Sequence, residues 1–371
     1  MSARREALIV RVREGGPFQR PVEPFEPVFR PPNHPRAVAL REKYRLLDVA
    51  GEGADFARAR RIKTWVRRRW NHGYDDPQGP HDAMDLLASA ERGRSYSCGN
   101  YALTFVECCL AVGLPARQLS IKRIEADFPY RCRGNSGHQI SEAYCREWGK
   151  WVVLDADANC FYTRNGAPLS ALEVHRAWHE DRGRSVKQVL DQPHFVPIEQ
   201  CEGFTRAEMR FMWRDFARHQ TKHFYHHIHT WLVHGYSGQE SRQFTNRRIS
   251  FAGLTPPIFA YNFREVPFDY ALQVTREEQF NWPIDRTFMQ ARMLGRRPSR
   301  RIEVRLQHNM PFGDHFELAV GAGPFRRVAG DTRQLTLSEG RTRLRARGVD
   351  GFGRPGHEAR LVIAASRGSA T

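Results

Sequence analysis

The segment from Cys98 to Val112 constrains the fold of this chain most strongly, because the helix that it predicts is apolar on nearly every side. Its large apolar side chains are Tyr101, Leu103, Phe105, Val106 and Leu110. A helix with this pattern lies in the middle of a domain rather than on its surface. Gly113 predicts the end of the helix, and Pro115 prevents it from restarting. We therefore expect the rest of a domain to pack around it.

Strands and further helices are predicted on both sides of this central helix. Strand-like runs follow it at 116–122, 138–146 and 150–155. Helical patterns precede it at 36–49, after Gly53 and at 83–90. One central helix followed by an antiparallel hairpin is typical of an α+β domain. The first half of the chain is therefore predicted to pack this helix on an antiparallel sheet.

The sequence changes character from residue 286 onward, where short alternating runs are divided by glycine-containing turns. The predicted strands are 286–293, 301–308, 315–320, 333–337, 341–349 and 357–364. Short strands at regular spacing are typical of a β-sandwich. We therefore expect a second, all-β domain at the C-terminal end.

These patterns divide the chain into five predicted regions. They are a Pro-rich extended N-terminal arm (1–35) with one candidate strand at 7–12, an α+β domain (36–195), a helical connecting segment (196–265), a β-sandwich domain (266–365) and a tail (366–371). A chain of 371 residues is long enough for two compact domains. The helical pattern of the connecting segment runs over 207–231 and matches no motif with known mechanics.

The net charge of +17 does not by itself indicate a protein that binds nucleic acid. Of the 58 basic residues only six are lysine, so almost all of the positive charge is arginine. No segment alternates arginine with a regular series of aromatic residues, as proteins that bind single strands do. We therefore expect most arginines to lie on solvated faces; nucleic-acid binding through the arginine-rich C-terminal third is the less favoured alternative.

Hydropathy and cysteine usage bear on the compartment. The mean hydropathy is -0.62 and no run of 18 apolar residues predicts a transmembrane helix. Residues 1–17 contain basic residues but not the apolar core of a signal peptide. The seven cysteines include no CxxC pair, and their spacing fits neither a disulfide scaffold nor a structural zinc site. We expect a cytoplasmic protein without a membrane partner.

Cys98 is the first candidate for chemistry, because it opens the central helix directly after the polar residues 95–97. A thiol at this position lies against the positive end of the helix and near free backbone amides, which stabilise the reactive thiolate. The same amides can receive the oxyanion that forms when the sulfur attacks a carbonyl group. Cys108 and Cys109 lie inside the helix and are interpreted as packing residues.

A thiolate nucleophile needs a base and a group that orients the base. His138 starts the second predicted strand and Asp155 ends the third. If these strands pair as a hairpin, the two residues lie near each other at its open end, so that Asp155 binds one imidazole nitrogen while the other faces Cys98. Asp157 would share the face of Asp155 if the strand continued, and it is the reserve candidate.

These residues carry a family resemblance. Cys98 at a helix start, the segment GHQISEAY at 137–144 and VVLD at 152–155 resemble the transglutaminase-like superfamily, within the broader papain-like thiol fold. The resemblance covers roughly residues 58–175. It departs from the family at Ile140, where the HxWxE-type strand has an aromatic residue. Trp65 and Trp70 are nominal candidates for the upstream residue that completes the oxyanion hole.

The resemblance implies a transglutaminase-like core over 36–195 and an immunoglobulin-like sandwich over 266–365. It also implies that Cys98 attacks an amide or other acyl carbonyl, with His138 as base and Asp155 as the orienting carboxylate. A hydrolase or protease is favoured over a cross-linking transamidase, and the substrate is expected to be a peptide, protein or other amide. The alternative is a non-catalytic binding protein on the same scaffold, which would use its basic sandwich on an acidic partner. The sequence leaves the oligomeric state open.

A histidine-rich stretch at 219–234 is a candidate metal site. His219 and His223 are four residues apart and would share one helix face, which is the minimum for zinc. The stretch has no HExxH pattern and no cysteine or carboxylate at ligand spacing. A partly solvated helix is the preferred interpretation, and we expect neither a metal nor an organic cofactor.

Overall fold

The computed structural model describes residues 7–15, 27–75, 81–122, 137–193, 224, 227–231, 233–235, 248–251, 271–294 and 300–368. They belong to two compact units, one formed by Phe25–Trp282 and one that joins Met1–Pro24 to Pro283–Thr371. The boundaries differ from the predicted ones, since the residues predicted as an N-terminal arm divide between the two units.

The helices of the described residues all lie in the unit Phe25–Trp282. They are α1 (Pro35–Lys43), α2 (Leu46–Ala50), α3 (Asp55–Arg67), α4 (Ala83–Ala90), α5 (Cys98–Ala111), α6 (Ala171–Asp181) and α7 (Glu277–Phe280). The single helix predicted at 36–49 is two helices, because Arg45 adopts a left-handed conformation with φ 49° that interrupts it. In the described part of the chain, no helix is both long and apolar enough to cross a membrane.

Numbered along the chain, the first twelve strands include β1, which belongs to the other unit. They are β1 (Ala7–Gly15), β2 (Val28–Phe29), β3 (Ala116–Lys122), β4 (Gly137–Cys145), β5 (Lys150–Val153), β6 (Cys160–Arg164), β7 (Ala167–Pro168), β8 (Lys187–Leu190), β9 (His227–Trp231), β10 (Val233–His234), β11 (Arg248–Phe251) and β12 (Ala271–Val274). Six of them form the main sheet in the order β12-β11-β9-β3-β4-β5. One smaller sheet consists of β10 and β2, and another consists of three strands in the order β7-β6-β8.

Helix α5 lies between the main sheet and the other helices. It packs on β3 and β4 on one side and on α1, α3 and α4 on the other. Tyr101, Phe105 and Leu110 are completely buried, as the all-round apolar pattern predicts. The expected central helix on an antiparallel sheet is therefore confirmed. Within the main sheet the parallel pair is β11 with β12, and in a smaller sheet β10 and β2 also run parallel.

The prediction of a helical connecting segment at 196–265 is wrong for its described stretches 227–231 and 248–251. Residues 227–231 form β9 and residues 248–251 form β11, and β9 pairs with both β11 and β3 in the main sheet. Ile228 lies opposite Ile121 and is buried, so this strand completes the sheet on the side of β3. Long-range pairing overrides a local helical pattern in such a case. The remainder of the predicted 207–231 helix falls outside the described residues, except for Phe224.

The second unit consists of β1 and the remaining strands. These are β13 (Thr287–Met293), β14 (Arg301–His308), β15 (Gly313–Val320), β16 (Arg326–Val328), β17 (Thr332–Thr336), β18 (Gly340–Asp350) and β19 (Ala359–Gly368). They form a five-stranded sheet, β1-β19-β18-β15-β16, and a three-stranded sheet, β13-β14-β17. Both sheets contribute to one apolar core, with Val304 and Leu306 from one and Leu344 and Leu361 from the other. The immunoglobulin-like assignment stays a prediction.

The candidate strand at 7–12 of the predicted N-terminal arm is present as β1, which continues to Gly15. This strand runs antiparallel to β19, from Ala7 opposite Gly368 to Gly15 opposite Leu361. Without it, β19 would present a row of unpaired backbone groups at the edge of the sheet, and pairing satisfies them. The same pairing extends β19 to Gly368, into residues predicted as a tail.

A buried ion pair connects several elements around the main sheet. Arg117 on β3 donates to Glu142 on β4 from Nε (2.8 Å) and Nη2 (2.6 Å), and both side chains are fully buried. Arg117 also donates to the Phe280 carbonyl at the end of α7 (2.6 Å). The other oxygen of Glu142 accepts the Ala171 amide at the start of α6 (2.7 Å). The pair therefore fixes two helix ends on the strand that carries His138.

We predict that Arg117→Met lowers the free energy of unfolding by about 3–5 kcal/mol, because it leaves the Glu142 charge buried without its partner. Urea unfolding followed by circular dichroism measures the loss. Adding Glu142→Gln to this variant should recover part of it, since the stranded charge is removed.

Arg164→Met is the matched control. Arg164 pairs with Glu180 at 3.0 Å, but these side chains are 38% and 44% exposed. The free energy of unfolding of the Arg164→Met variant should fall by less than about 1 kcal/mol. Equal losses in the two arginine variants would contradict the assignment of the buried pair as a structural anchor.

Candidate active site

Cys98 is the first residue of α5, and the local structure leaves the amides of that turn available. Ser97, the residue at the N-cap, makes no side-chain hydrogen bond to the helix, and the first turn contains no acidic residue. The amides of Asn100 and Tyr101 donate to the Ser97 carbonyl, so among the described residues the amides of Cys98 and Gly99 remain as donors beside the sulfur. Cys98 itself is partly exposed. The sulfur therefore lies at a polar, electropositive helix end that a substrate can reach.

A pair of glutamines fixes the start of α5 against the sheet. Gln118 on β3 donates from Nε2 to the Gly99 carbonyl (3.2 Å) and to Oε1 of Gln139 on β4 (2.7 Å). A Cβ atom added at Gly99 would lie 2.8 Å from that same Gln139 oxygen. A larger residue at position 99 would therefore require the Gln139 side chain to move and would disturb its contact with Gln118. Sequence analysis did not identify this glutamine pair.

His138 lies on β4, opposite Ile121 of β3, and its side chain is buried. Its Nε2 atom lies 2.8 Å from Oδ2 of Asp155. This contact leaves Nδ1 as the nitrogen that can exchange a proton with Cys98. The predicted association of His138 with Asp155 is thus present in the structure.

Asp155 is held by a tight turn that follows β5. Its backbone forms a two-way bridge with Cys160, with both hydrogen bonds 3.0 Å long. Its Oδ1 atom accepts the amides of Asp157 (2.9 Å) and Ala158 (3.0 Å). With Oδ1 bound by the turn, Oδ2 is directed to His138. The carboxylate can therefore orient the imidazole without moving itself.

Cys98, His138 and Asp157 converge at one point. The sulfur, a ring nitrogen of His138 and a carboxylate oxygen of Asp157 all lie within 4.8 Å of one another. Helix α5 supplies the sulfur, β4 the imidazole, and the turn after β5 the carboxylate. Sulfur, imidazole nitrogen and carboxylate oxygen are also zinc ligands, so these three residues could hold a metal ion. The arrangement equally suits proton transfer between sulfur and nitrogen.

The electrostatic setting of His138 favours its protonated form. Burial alone would lower the pKa of His138, but the charge and hydrogen bond of Asp155, together with Cys98, raise this pKa well above its usual range. An imidazolium beside a sulfur atom stabilises the thiolate. The site therefore favours a protonated His138 beside the Cys98 sulfur.

Asp157, the reserve candidate, has a different partner. Both of its oxygens lie close to Nδ1 of His72, at 2.9 and 3.0 Å. Burial would raise the pKa of Asp157, but the charge and hydrogen bonds of His72, followed by the charges of His138 and Arg67, lower it. Asp157 therefore contributes negative charge near His138 without binding it directly.

His72 is the residue of the site that sequence analysis missed. It lies in the polar loop before α4 and forms a β-bridge with Tyr96, two residues before Cys98. No sequence motif surrounds it, and the only available signal was its place in a loop that precedes the nucleophile. Its link to Asp157 depends on a contact across 85 residues of sequence.

The two tryptophans named for the oxyanion hole have other contacts. Trp70 donates its indole N–H to the Tyr96 carbonyl (3.2 Å) and packs on Tyr101. Trp65 packs against Tyr44 and under the guanidinium of Arg69. Both indoles therefore serve packing, and the backbone amides at Cys98 are the donors that the structure offers.

The buried cysteines contrast with Cys98. Burial raises the pKa of the Cys160 thiol to about 12 and raises the pKa values of Cys108, Cys109 and Cys145 above their usual range. These thiols stay protonated and unreactive near neutral pH. Of the histidine-rich stretch, His219 and His223 lie outside the described residues. His234 is buried, and its burial together with the charge of Arg117 lowers its pKa to about 3.

Three solved structures resemble parts of this chain. A candidate cysteine protease from Cytophaga hutchinsonii is 15% identical over 44% of this chain and 50% of its own, with a TM-score of 0.28. EGTA-treated LapG from Legionella pneumophila is 12% identical over 44% of this chain and 81% of its own (TM-score 0.27). A red sea bream transglutaminase is 9% identical over 91% of this chain and 72% of its own (TM-score 0.22). At these TM-scores the likenesses carry no argument, and the chain spans half the length of the first protein.

Comparison by sequence is more specific. No curated protein matches the chain significantly. The sequence model of the transglutaminase-like superfamily, however, matches residues 45–156. The resemblance to the transglutaminase-like superfamily is thereby confirmed for the part of the chain that holds Cys98, His138 and Asp155.

Proposed function

We propose that the protein is a cysteine-dependent acyl-transfer enzyme whose nucleophile is Cys98. The thiolate attacks the carbonyl carbon of an amide or related acyl group, and the carbonyl oxygen becomes an oxyanion. The free amides at the start of α5 stabilise this oxyanion. The substrate is a peptide, a protein or another molecule with an accessible amide.

His138 transfers the protons in both halves of the reaction. As the tetrahedral intermediate collapses, the imidazolium donates its Nδ1 proton to the leaving amine, and a thioester with Cys98 remains. In the second half the neutral imidazole removes a proton from water, which attacks the thioester and releases the acid and the thiolate. Asp155 orients the ring through Nε2 and stabilises its charged form. Water as the acceptor makes the enzyme a hydrolase, which we favour over a transamidase.

The observation that carries this proposal is the double contact of one buried imidazole. His138 binds Asp155 at 2.8 Å on one side and has the Cys98 sulfur within 4.8 Å on the other. A histidine that only filled space in the core would need neither a hydrogen-bonded carboxylate nor a partly exposed thiol beside it. The alternative of a non-catalytic binding protein predicts that Cys98 has no special reactivity.

We predict that iodoacetamide alkylates Cys98 much faster than the four buried cysteines of the structure. Cys160, with a pKa of about 12, should carry roughly a thousandfold less thiolate than an ordinary cysteine. His138→Ala should slow alkylation of Cys98 by about tenfold, because the imidazolium that stabilises the thiolate is lost. Peptide mapping by mass spectrometry after timed quenching measures each site separately.

His357→Ala is the control for this experiment, because it removes an exposed histidine from the other unit. It should leave the rate at Cys98 unchanged. Slow labelling spread evenly over several cysteines, insensitive to His138→Ala, would favour the binding protein and contradict the enzyme.

We also predict that 4-nitrophenyl acetate acetylates Cys98. A rapid burst of 4-nitrophenolate, stoichiometric with the protein, should precede slower steady release, because the thioester accumulates before water cleaves it. Cys98→Ser should abolish the burst. Intact-mass measurement should show the acetyl group on the protein that retains Cys98 and not on the variant. If added glycinamide accelerates steady release and becomes acetylated, the acceptor is an amine rather than water.

The pH dependence identifies the carboxylate that supports His138. Asp155→Asn removes the charge that raises the pKa of His138, so that burial dominates and this pKa falls. Alkylation by anionic iodoacetate requires the imidazolium beside the thiolate. The alkaline limb of its rate against pH should therefore move to lower pH in this variant.

Asp157→Asn is the matched control, with the same substitution two residues away. Asp157 contributes charge but is hydrogen-bonded to His72, so its variant should shift the alkaline limb in the same direction by less. A larger shift for Asp157→Asn than for Asp155→Asn would assign the orienting role to Asp157 instead.

A further inference from the structure

The five-stranded sheet of the second unit has one strongly basic face. Leu344 and Ala346 of β18 point into the core, whereas Arg341, Arg343, Arg345 and Arg347 alternate with them and point outward. Successive arginines on one face of a strand are about 6.6 Å apart. The outward face of β18 is therefore a row of guanidinium groups.

Part of this row lines a cavity. Its volume is about 510 Å³, and its lining residues are Gly321, Ala322, Arg343, Arg345, Arg360 and Val362. Gly321 has a φ of +62°, a conformation that favours glycine, and its turn shapes one rim of the cavity. We refer to this feature as the arginine cavity.

The register of the sheet concentrates positive charge in the arginine cavity. Arg345 on β18 lies directly opposite Arg360 on β19, and Arg343 lies opposite Val362. Like charges at directly opposed positions destabilise a sheet. A bound anion in the cavity would reduce the repulsion between Arg345 and Arg360.

Carboxylates neutralise only some of these arginines. Glu317 binds Arg347 (2.7 Å) and Glu358 binds Arg360 (2.9 Å). Within the described ranges, Arg343 and Arg345 have no carboxylate partner. Two positive charges in the cavity are thus uncompensated.

Arg345 is positioned rather than mobile. It donates from Nη2 to the Gly323 carbonyl (3.0 Å), and its guanidinium lies 5.0 Å from the centre of the Phe325 ring. Holding a guanidinium in one orientation before the ligand arrives lowers the entropic cost of binding. Val362 adds an apolar patch to the same cavity.

We propose that the arginine cavity binds a small ligand through a phosphoryl group. A phosphate monoester carries nearly two negative charges at neutral pH, which matches the two uncompensated arginines. Guanidinium groups bind phosphate oxygens through paired hydrogen bonds. The cavity has the volume of a site for a small molecule, and the two unpaired arginines that line it match one phosphoryl group rather than the repeated charges of a polymer.

The experiment uses isothermal titration calorimetry on the full chain with two probes, inorganic phosphate and phenyl phosphate, at constant ionic strength. Arg343→Gln should weaken binding by about tenfold, since it removes a charge-assisted contact. Arg343→Lys keeps the charge and should lose less. Tighter binding of phenyl phosphate assigns an organic monoester, and binding of inorganic phosphate alone assigns free phosphate; either result supports the site.

Arg333→Gln is the matched control, because Arg333 is exposed on β17 of the other sheet. It should leave the affinity for both probes unchanged. Equal losses for Arg333→Gln and Arg343→Gln would show attraction by net charge alone and overturn the proposal, as would the absence of binding by either probe. Arg360→Gln provides a second test of the cavity if Arg343→Gln lowers the melting temperature.

Discussion

The hydrogen bond between His138 and Asp155 is the interaction on which the candidate site depends. Burial lowers the pKa of His138, but the charge and hydrogen bond of Asp155, together with Cys98, raise this pKa above its usual range. The amides of Asp157 and Ala158 bind the other oxygen of Asp155 and hold the carboxylate in place. The turn after β5 therefore positions the group that favours the protonated form of a histidine on β4.

The scaffold positions the three groups from three directions. Helix α5 is held by burial of every residue from Tyr101 to Ala111 except Leu103, whereas its first turn is partly exposed. The Gln118–Gln139 pair fixes that turn against β4, and the Arg117–Glu142 pair fixes β3 and β4 to two helix ends. Packing and hydrogen bonds away from the reacting atoms thus hold the elements that carry Cys98, His138 and Asp155. This rigidity is what pre-organised catalysis requires.

Much of the site could be predicted from sequence because its signals are local. Cys98 precedes an apolar run, His138 begins a strand, and both aspartates follow another strand. The preference for Asp155 over Asp157, however, does not follow from the strand register. Continued strand register would place Asp157, not Asp155, opposite His138, since Ala143 pairs with Val152. The chain instead turns at Asp155, and that turn directs its carboxylate to the imidazole.

The sequence by itself determined the central helix, the hairpin beside it, most strands of the second unit and the order of the reactive residues, because periodicity and turn residues act over short distances. Only the tertiary structure decided what pairs across long separations. It placed β9 next to β3, β1 along β19, His72 on Asp157 and Arg345 opposite Arg360. Such pairings depend on which buried surfaces and backbone edges remain after the local elements have formed, and no short stretch of sequence records this.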